Sequence, residues 1–166
     1  FCLSRGLGDV YKRQDLDIPA LCKYAESKGI GLMVYVNQRA LVQQLDILLP
    51  LYKKWGLKGI KFGFVQIGNQ RWSTWLHDAV RKCGEYGLMV DIHDEYRPTG
   101  FSRTYPNLMT QEGIRGNEEM PDATHNTTLP FTRYLAGAGD YTLCYFNNRV
   151  KNTKAHPVSY THLRAH

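Results

Sequence analysis

The sequence has few cysteines, and they are widely separated. It contains four in 166 residues, and no two stand at the short spacings of a zinc site or a redox motif: Cys2, Cys22, Cys83 and Cys144. We therefore expect neither a disulfide framework nor a cysteine-bound metal. The internal cysteines are better interpreted as small, buried apolar residues.

Long apolar runs and clustered positive charge are also missing. No run approaches the roughly 18 apolar residues of a membrane-spanning helix, so we predict no membrane span. The net charge of +6 includes four basic residues and one acidic residue in two terminal segments, residues 1–14 and 158–166. Without these segments the charge falls to +3, and no stripe of Lys and Arg with interleaved aromatics remains. We therefore expect no nucleic-acid partner.

The two terminal segments fit neither a helix period nor a strand period. They are typical of translated sequencing-adapter sequence at the ends of short metagenomic fragments. We interpret residues 1–14 and 158–166 as artefactual and exclude them from fold reasoning, as one would exclude a fusion scar. Residues 15–157 are the part predicted to fold.

Strand-like and helix-like patterns alternate along the middle of the chain. Continuous apolar, β-branched stretches predict strands buried on both faces at residues 30–37, 59–65 and 88–94. Apolar residues at spacings of three and four predict amphipathic helices between them, at residues 41–55 and 72–86. Strands that recur at this interval with one helix between them are βα units, whose strands run parallel.

The flanking regions extend this pattern. They predict one more helix at residues 18–27, a long loop at 95–127, a short helical piece at 129–136 and a last strand at 140–146. Three or four βα units form half of a (β/α)₈ barrel or a piece of a doubly wound sheet. Because the units are short and nearly equal, we predict an α/β fold that is part of a (β/α)₈ TIM barrel.

Acidic residues stand where a ligand site is expected. In both folds the site lies at the C-terminal ends of the parallel strands, and Asp94 and Glu95 fall at such an end. The loop that follows adds Glu112 and Glu118. Converging carboxylates can hold Ca²⁺, or serve as the general acid and base of glycoside hydrolysis. The alternative is an acidic loop that is merely solvated.

Residues 97–142 contain the words "RPTG", "RTYPNL", "EGIRGNE" and "LPFTR" in this order. Together they closely resemble the catalytic barrel of glycoside hydrolase family 97, the bacterial α-glucosidases and α-galactosidases. A weaker resemblance extends back through "GIKFGFV" to about Asp17. It implies that the chain is a middle part of the barrel of a longer protein, whose N- and C-terminal β domains are missing from this chain. Because half a barrel leaves edge strands unpaired and apolar faces uncovered, we expect the chain by itself to be poorly folded and inactive. It also implies an oligosaccharide substrate and a periplasmic or secreted location.

The resemblance also implies catalytic and metal-binding roles. Glu118 matches the general acid, and Asp94 matches a residue that is both base and calcium ligand. From its place beside Asp94, we expect Glu95 to help the base. The implied Ca²⁺ ligands are Asp94, Glu112 and Glu118. By the resemblance, His125 lies on the substrate side and is a candidate substrate contact. His93 alternates with Ile92 on the third predicted strand, so it faces the barrel interior or its mouth, either as a contact for a sugar hydroxyl group or as a packed, hydrogen-bonded histidine.

Two positions depart from the pattern of the family. Gly63 stands where the retaining branch has its aspartate nucleophile, and Asn37 stands where the inverting branch has a second acidic base. We predict a calcium-dependent, exo-acting α-glycosidase that inverts, with the carboxyl groups of Asp94 and Glu118 roughly 6.5 to 9.5 Å apart. The alternative, motivated by Asn37 and Gly63, is a relative that binds sugar without cleaving it.

Overall fold

The computed structural model describes residues 16–116, 119 and 121–142. The segments 1–14 and 158–166, and residues 143–146 of the predicted last strand, lie outside this part. Helices and strands follow one another as α1 (Ile18–Ser27), β1 (Met33–Asn37), α2 (Gln38–Trp55), β2 (Gly59–Gly63), α3 (Gln70–Glu85), β3 (Met89–Ile92), β4 (Leu108–Gln111) and α4 (Ala123–Thr128). Short 3₁₀ segments occur at Phe101–Arg103, Leu129–Phe131 and Arg133–Ala136.

The four strands form one sheet in the order β1-β2-β3-β4, and every pair is parallel. Sequential order combined with right-handed crossovers places the connecting helices on the same face of the sheet. A doubly wound sheet would instead reverse its strand order and carry helices on both faces. The predicted α/β class is confirmed, and the arrangement is that of a partial (β/α)₈ barrel.

The strand β4 corrects the prediction of an unbroken loop over residues 95–127. It pairs with β3 after a register shift between Val90 and Asp91, and its first residue, Leu108, is buried. Its sequence, LMTQ, is short and lacks the β-branched run that marked the other strands. Pairing with a neighbouring strand, rather than intrinsic propensity, makes it a strand.

Polar side chains set the starts of the helices. Asp17 accepts a hydrogen bond from the backbone N–H of Ala20 at 2.9 Å, and Asn37 accepts one from Arg39 at 2.8 Å. These bonds satisfy donors that the first turn of a helix leaves unpaired. The helix α2 ends at Gly56, whose φ of +84° suits a residue without a Cβ.

The core lies between the sheet and the helices α2 and α3. Its completely buried residues come from both layers: Leu41, Leu48, Ile60, Phe62, Leu76, Val80, Cys83, Val90 and Ile92. Cys22 and Cys83 are free and buried, as predicted, and burial raises the pKa of the Cys83 thiol to about 12. Cys2 and Cys144 lie outside the described residues. Among the helices that are described, none is long and apolar enough to span a membrane.

Candidate active site

The ends of β3 and β4 bring three predicted site residues together. His93 and Asp94 follow β3, and Glu112 follows β4. His93 Nδ1 lies 3.1 Å from Asp94 Oδ1 and 3.1 Å from Glu112 Oε2. One ligand atom from each of the three residues lies within 4.8 Å of the others. These three residues are called the carboxylate cluster below.

The backbone holds Asp94 in an unusual conformation. Its φ is +66°, in the left-handed region that residues other than glycine rarely occupy. Its Oδ2 accepts a hydrogen bond from the N–H of Val65 at 2.7 Å, and its carbonyl accepts one from Gly113 at 2.9 Å. Asp94 is therefore fixed between the loops that follow β2 and β4. Strained residues of this kind occur often at active sites.

Glu112 is held still more firmly and is only 4% exposed. Its N–H donates to the carbonyl of Ile92 at 2.8 Å, and its carboxylate accepts a hydrogen bond from the N–H of Asp94. Arg133 donates to the carbonyl groups of Gln111 at 2.9 Å and Glu112 at 3.0 Å. The guanidinium group thus ties the end of β4 to the segment before residue 140.

Two cavities meet at Asp94 and Glu95, which line both of them. The first, of about 430 Å³, contains the carboxylate cluster together with Arg97 and Arg115. The second, of about 480 Å³, is lined by residues of the loop between β2 and α3 and by Trp72. Glu95 itself is exposed, so it is available to a ligand in either cavity.

Two further predicted site residues are His125 and Glu118. His125, in α4, has its Nε2 3.1 Å from the carbonyl oxygen of Arg115 and does not line the first cavity. Its contact with substrate stays a prediction. Glu118 lies outside the described residues, so its role as general acid and its separation from Asp94 also stay predictions.

A group of charged side chains below the carboxylate cluster was missed by sequence reasoning. On the inner face of the sheet, Tyr35, Lys61, Asp91 and Thr110 stand side by side in register. Lys61 Nζ lies 3.3 Å from Asp91 Oδ2 and also forms an ion pair with Asp140. The available signal was Asp91 itself, a charged residue inside an otherwise apolar strand.

The two carboxyl groups around Lys61 differ in their affinity for a proton. Burial, followed by the hydrogen bond and the negative charge of Asp140, raises the pKa of Asp91 to about 7. Burial would also raise the pKa of Asp140, but hydrogen bonds with Asp91 and Lys61 hold it below its usual value. Asp91 Oδ1 is buried and accepts no hydrogen bond. As the pH rises, Asp91 therefore keeps its proton to a higher pH than Asp140 does.

Gly63 and Asn37, the two departures from the family pattern, have structural explanations here. A Cβ on Gly63 would lie 1.9 Å from Cζ of Tyr35, so the phenol ring occupies the space of any side chain at residue 63. Tyr35 also packs edge-on against His93, with 5.8 Å between the ring centres. Asn37 uses its side-chain oxygen to cap α2.

A sequence profile of the family "Glycoside hydrolase 97" matches residues 7–114, more than half of the chain. A "Probable retaining alpha-galactosidase" from Streptomyces bingchenggensis is 36% identical over 128 residues, which cover 75% of this chain and 20% of that protein. A "Retaining alpha-galactosidase" from Bacteroides thetaiotaomicron is 29% identical over 145 residues, which cover 83% and 22%. The chain thus spans about a fifth of the length of these relatives.

Solved structures give the same result. A glycoside hydrolase family 97 enzyme from Pseudoalteromonas sp. strain K8, solved as a variant, superimposes with a TM-score of 0.69 and 28% identity. The match covers 82% of this chain and 25% of that one. A β-arabinopyranosidase, with a TM-score of 0.66 and 23% identity over 83% of this chain and 26% of its own, shares the fold. From its sequence and its structure, the chain belongs to glycoside hydrolase family 97.

Proposed function

We propose that the protein containing this chain is an exo-acting α-glycosidase, which hydrolyses terminal α-glycosidic bonds of oligosaccharides. The observation that carries this proposal is the convergence of Asp94 and Glu112 with His93 at the strand ends of a family 97 barrel. The names of the relatives support the substrate class. Two are α-galactosidases, and the Pseudoalteromonas enzyme was solved in complex with panose and with acarbose.

The proposed reaction uses two carboxyl groups on opposite sides of the bond. Asp94 accepts a proton from a water molecule, whose oxygen attacks the anomeric carbon, while Glu118 donates its proton to the leaving oxygen. The hydrogen bond from Val65 and the strained backbone hold Asp94 in position before substrate binds. Preorganised carboxylates of this kind lose little freedom during the reaction. Glu95, which lines the same cavity, is the proposed helper.

The donor set fits Ca²⁺ in part. Asp94 and Glu112 supply neighbouring carboxylate oxygens, the ligand type that Ca²⁺ prefers, and Glu118 is the proposed third. The nitrogen of His93 is a poor ligand for this hard cation, so His93 is better suited to donating a hydrogen bond to the carboxylates. When bound, Ca²⁺ would supply positive charge that orients the ligand oxygens and a substrate hydroxyl group.

The proposal also includes the stereochemical outcome, which is inversion at the anomeric carbon. The two curated relatives are named as retaining enzymes, which conflicts with the predicted inversion. In this chain, Gly63 has no carboxylate to act as a nucleophile, and the ring of Tyr35 fills the space of such a group. These two features support inversion, in which water attacks directly.

The test is to follow hydrolysis of aryl α-glucosides and α-galactosides by the full-length protein with proton NMR, in calcium and then in chelator. We expect the β-anomer to be released first. We also expect this release to stop in chelator and to resume with added calcium. Initial release of the α-anomer would contradict inversion, and equal rates in chelator would contradict calcium dependence.

We also propose that the protein is periplasmic or secreted, and cell fractionation checks this location.

Binding without cleavage is the second candidate function. One observation favours it. Asn37 stands where the inverting branch has a second base, but its side-chain oxygen caps a helix and an amide cannot serve as a base near neutral pH. Saturable binding of an α-linked disaccharide, measured by calorimetry, without release of any monosaccharide would establish this alternative in place of the glycosidase.

A further inference from the structure

The loop at residues 112–138 begins and ends at the same point of the sheet. It leaves β4 after Gln111, the last residue of that strand, and the chain returns at Gly139, which forms a parallel bridge with Gln111. The N–H of Asp140 then donates to the carbonyl of Gln111 at 3.1 Å. The two ends of the loop therefore meet beside Glu112, a member of the carboxylate cluster. The contacts that join these ends are called the loop closure below.

Arg133 supplies one half of the loop closure. Its guanidinium group donates to the carbonyl groups of Gln111 at 2.9 Å and Glu112 at 3.0 Å, where the loop begins. It also donates to the carbonyl groups of Gly137 at 2.9 Å and Ala138 at 3.2 Å, where the loop ends. Neither a guanidinium group nor a backbone carbonyl titrates near neutral pH, so this half is independent of pH.

Asp140 supplies the other half through its carboxylate. It forms an ion pair with Lys61, whose side chain lies on the inner face of the sheet. Lys61 Nζ also lies 3.3 Å from Asp91 Oδ2, so one ammonium group serves two carboxyl groups. The side chain of Asp91 is 11% exposed, and those of Lys61 and Asp140 are 23% and 22% exposed. Partly buried pairs of this kind are screened by salt much less than surface pairs are.

The proton on Asp91 determines how much of the charge of Lys61 is available to Asp140. While Asp91 is neutral, Lys61 pairs with Asp140 without competition from Asp91. When Asp91 is ionised, the two carboxylates compete for Lys61 and repel each other. Burial, followed by the hydrogen bond and the negative charge of Asp140, raises the pKa of Asp91 to about 7. The competition therefore begins near neutral pH and grows as the pH rises.

Other ionisable groups also face these three side chains. Among the described residues they are Tyr35 beside Lys61 on β1, His93 after β3, and Arg133, Tyr134 and Tyr141 around Asp140. Tyrosine and arginine ordinarily titrate at about pH 10 or above, outside the neutral range. His93 is present in both the wild type and a variant of Asp91. A ratio between these two proteins therefore reports the effect of Asp91.

We propose that Asp140 is a positioning residue of the candidate site, whose ion pair with Lys61 holds Glu112 in the carboxylate cluster. Asp140 acts through the loop closure, because its N–H and its carboxylate fix the returning chain against the end of β4. Ionisation of Asp91 weakens the loop closure, so the cluster is best ordered below neutral pH. The effect on rate rests on the proposed glycosidase function, whereas the loop closure is measurable without substrate.

Hydrogen exchange in the full-length protein, without substrate, tests the loop closure. The amide of Glu112, which donates to the carbonyl of Ile92 at 2.8 Å, should exchange roughly tenfold faster in D140N. D140E retains the carboxylate and should restore most of the protection. D46N, which also removes the aspartate partner of a lysine, Lys82, is the matched control and should exchange at the wild-type rate. An unchanged rate in D140N, or an equal increase in D46N, would overturn the proposal.

Kinetics test the effect on the site. The kcat for an aryl α-glycoside should be roughly tenfold lower in D140N, because a small displacement of a site group slows the reaction. The ratio of kcat in D91N to that in the wild type should be about 1 near pH 5.5 and should rise to roughly threefold near pH 8.5. D91N stays neutral at both pH values, whereas the wild-type carboxyl group ionises between them. A merely structural role of Asp91 would change the ratio equally at both, and a constant ratio would overturn the proposal.

The outcomes separate the two proposals. Faster exchange in D140N without hydrolysis by the wild type would overturn the glycosidase function and retain the loop closure. Hydrolysis with the wild-type kcat in D140N would overturn the positioning role alone. Thermal melting identifies a D140N protein that fails to fold. In that case the exchange of Glu112 at about pH 8.5 decides, since it should be slower in D91N than in the wild type.

Discussion

The two faces of the sheet carry different kinds of side chain, although the same strands form both. On the outer face, Ile60, Phe62, Val90 and Ile92 are completely buried beneath the helices. On the inner face, their immediate neighbours Lys61 and Asp91 are ionisable. One residue along the strand therefore separates an apolar environment from an ionic one, because successive side chains of a strand point to opposite faces.

The residues of the outer face stabilise the fold, whereas those of the inner face lie on the side of the candidate site. Each large apolar side chain on the outer face stabilises the fold by about 1.5 to 3 kcal/mol through burial. A buried charge, by contrast, destabilises unless a partner compensates it. Lys61 and Asp91 stand one level below the carboxylate cluster, so ionic groups are collected on the side of the sheet that serves the candidate site.

The largest expected effect is a loss of activity with little loss of stability, at Asp94 on the candidate-site side of the sheet. D94N should lower kcat about a thousandfold, because an amide cannot accept the proton of water, while the melting temperature changes little. Initial rates with an aryl α-glycoside and a thermal melt of the full-length protein measure the two effects. D46N, which changes an exposed acidic residue on α2, is the control. Near wild-type activity in D94N would remove Asp94 from the proposed mechanism.

The outer face should show the reverse behaviour. F62A removes a completely buried ring and should destabilise the protein by about 3 to 5 kcal/mol. I47A, at a residue that is 69% exposed, should stay within about 0.5 kcal/mol. Urea unfolding at two protein concentrations compares them. Equal destabilisation by the two substitutions would mean that the assigned core is wrong.

The next prediction concerns the contact between Gly63 and Tyr35, at the C-terminal end of β2. G63A places a methyl group 1.9 Å from the ring of Tyr35, so we expect a loss of about 1 to 3 kcal/mol. The double variant Y35A/G63A should lose less than the sum of the two single variants, because the clash disappears with the ring. Additive effects in a double-mutant cycle would contradict this contact.

The smallest effect concerns pH. In the folded protein the pKa of Asp91 is about 7, against an ordinary value of 3.8, so between these values the folded state binds the extra proton. The contribution of Asp91 to stability is complete below about pH 4 and is lost as the pH rises through about 7. D91N should remove this slope. Melting temperatures of both proteins from pH 5 to pH 8 measure it, and parallel curves would contradict the raised pKa of Asp91.

The sequence alone determined the repeating part of the fold. The periods of the apolar residues placed α1 at the residues observed, Ile18–Ser27, and located β1 to β3 within a few residues. These predictions succeeded because burial against one neighbouring layer imposes a period that a single sequence displays. The family words also predicted one site for Asp94 and Glu112, whose carboxylate oxygens lie close together in the structure.

Only the tertiary structure decided what depends on pairing across the chain. It made a strand of residues 108–111, which lack a strand pattern of their own. It brought Asp140 to Lys61 across 79 positions, and it placed Tyr35 over Gly63. Trp72 shows the same limit, since it belongs to the amphipathic helix predicted at residues 72–86 and yet lines a cavity. Such contacts have no local period, because they arise from where separate strands and loops meet in space.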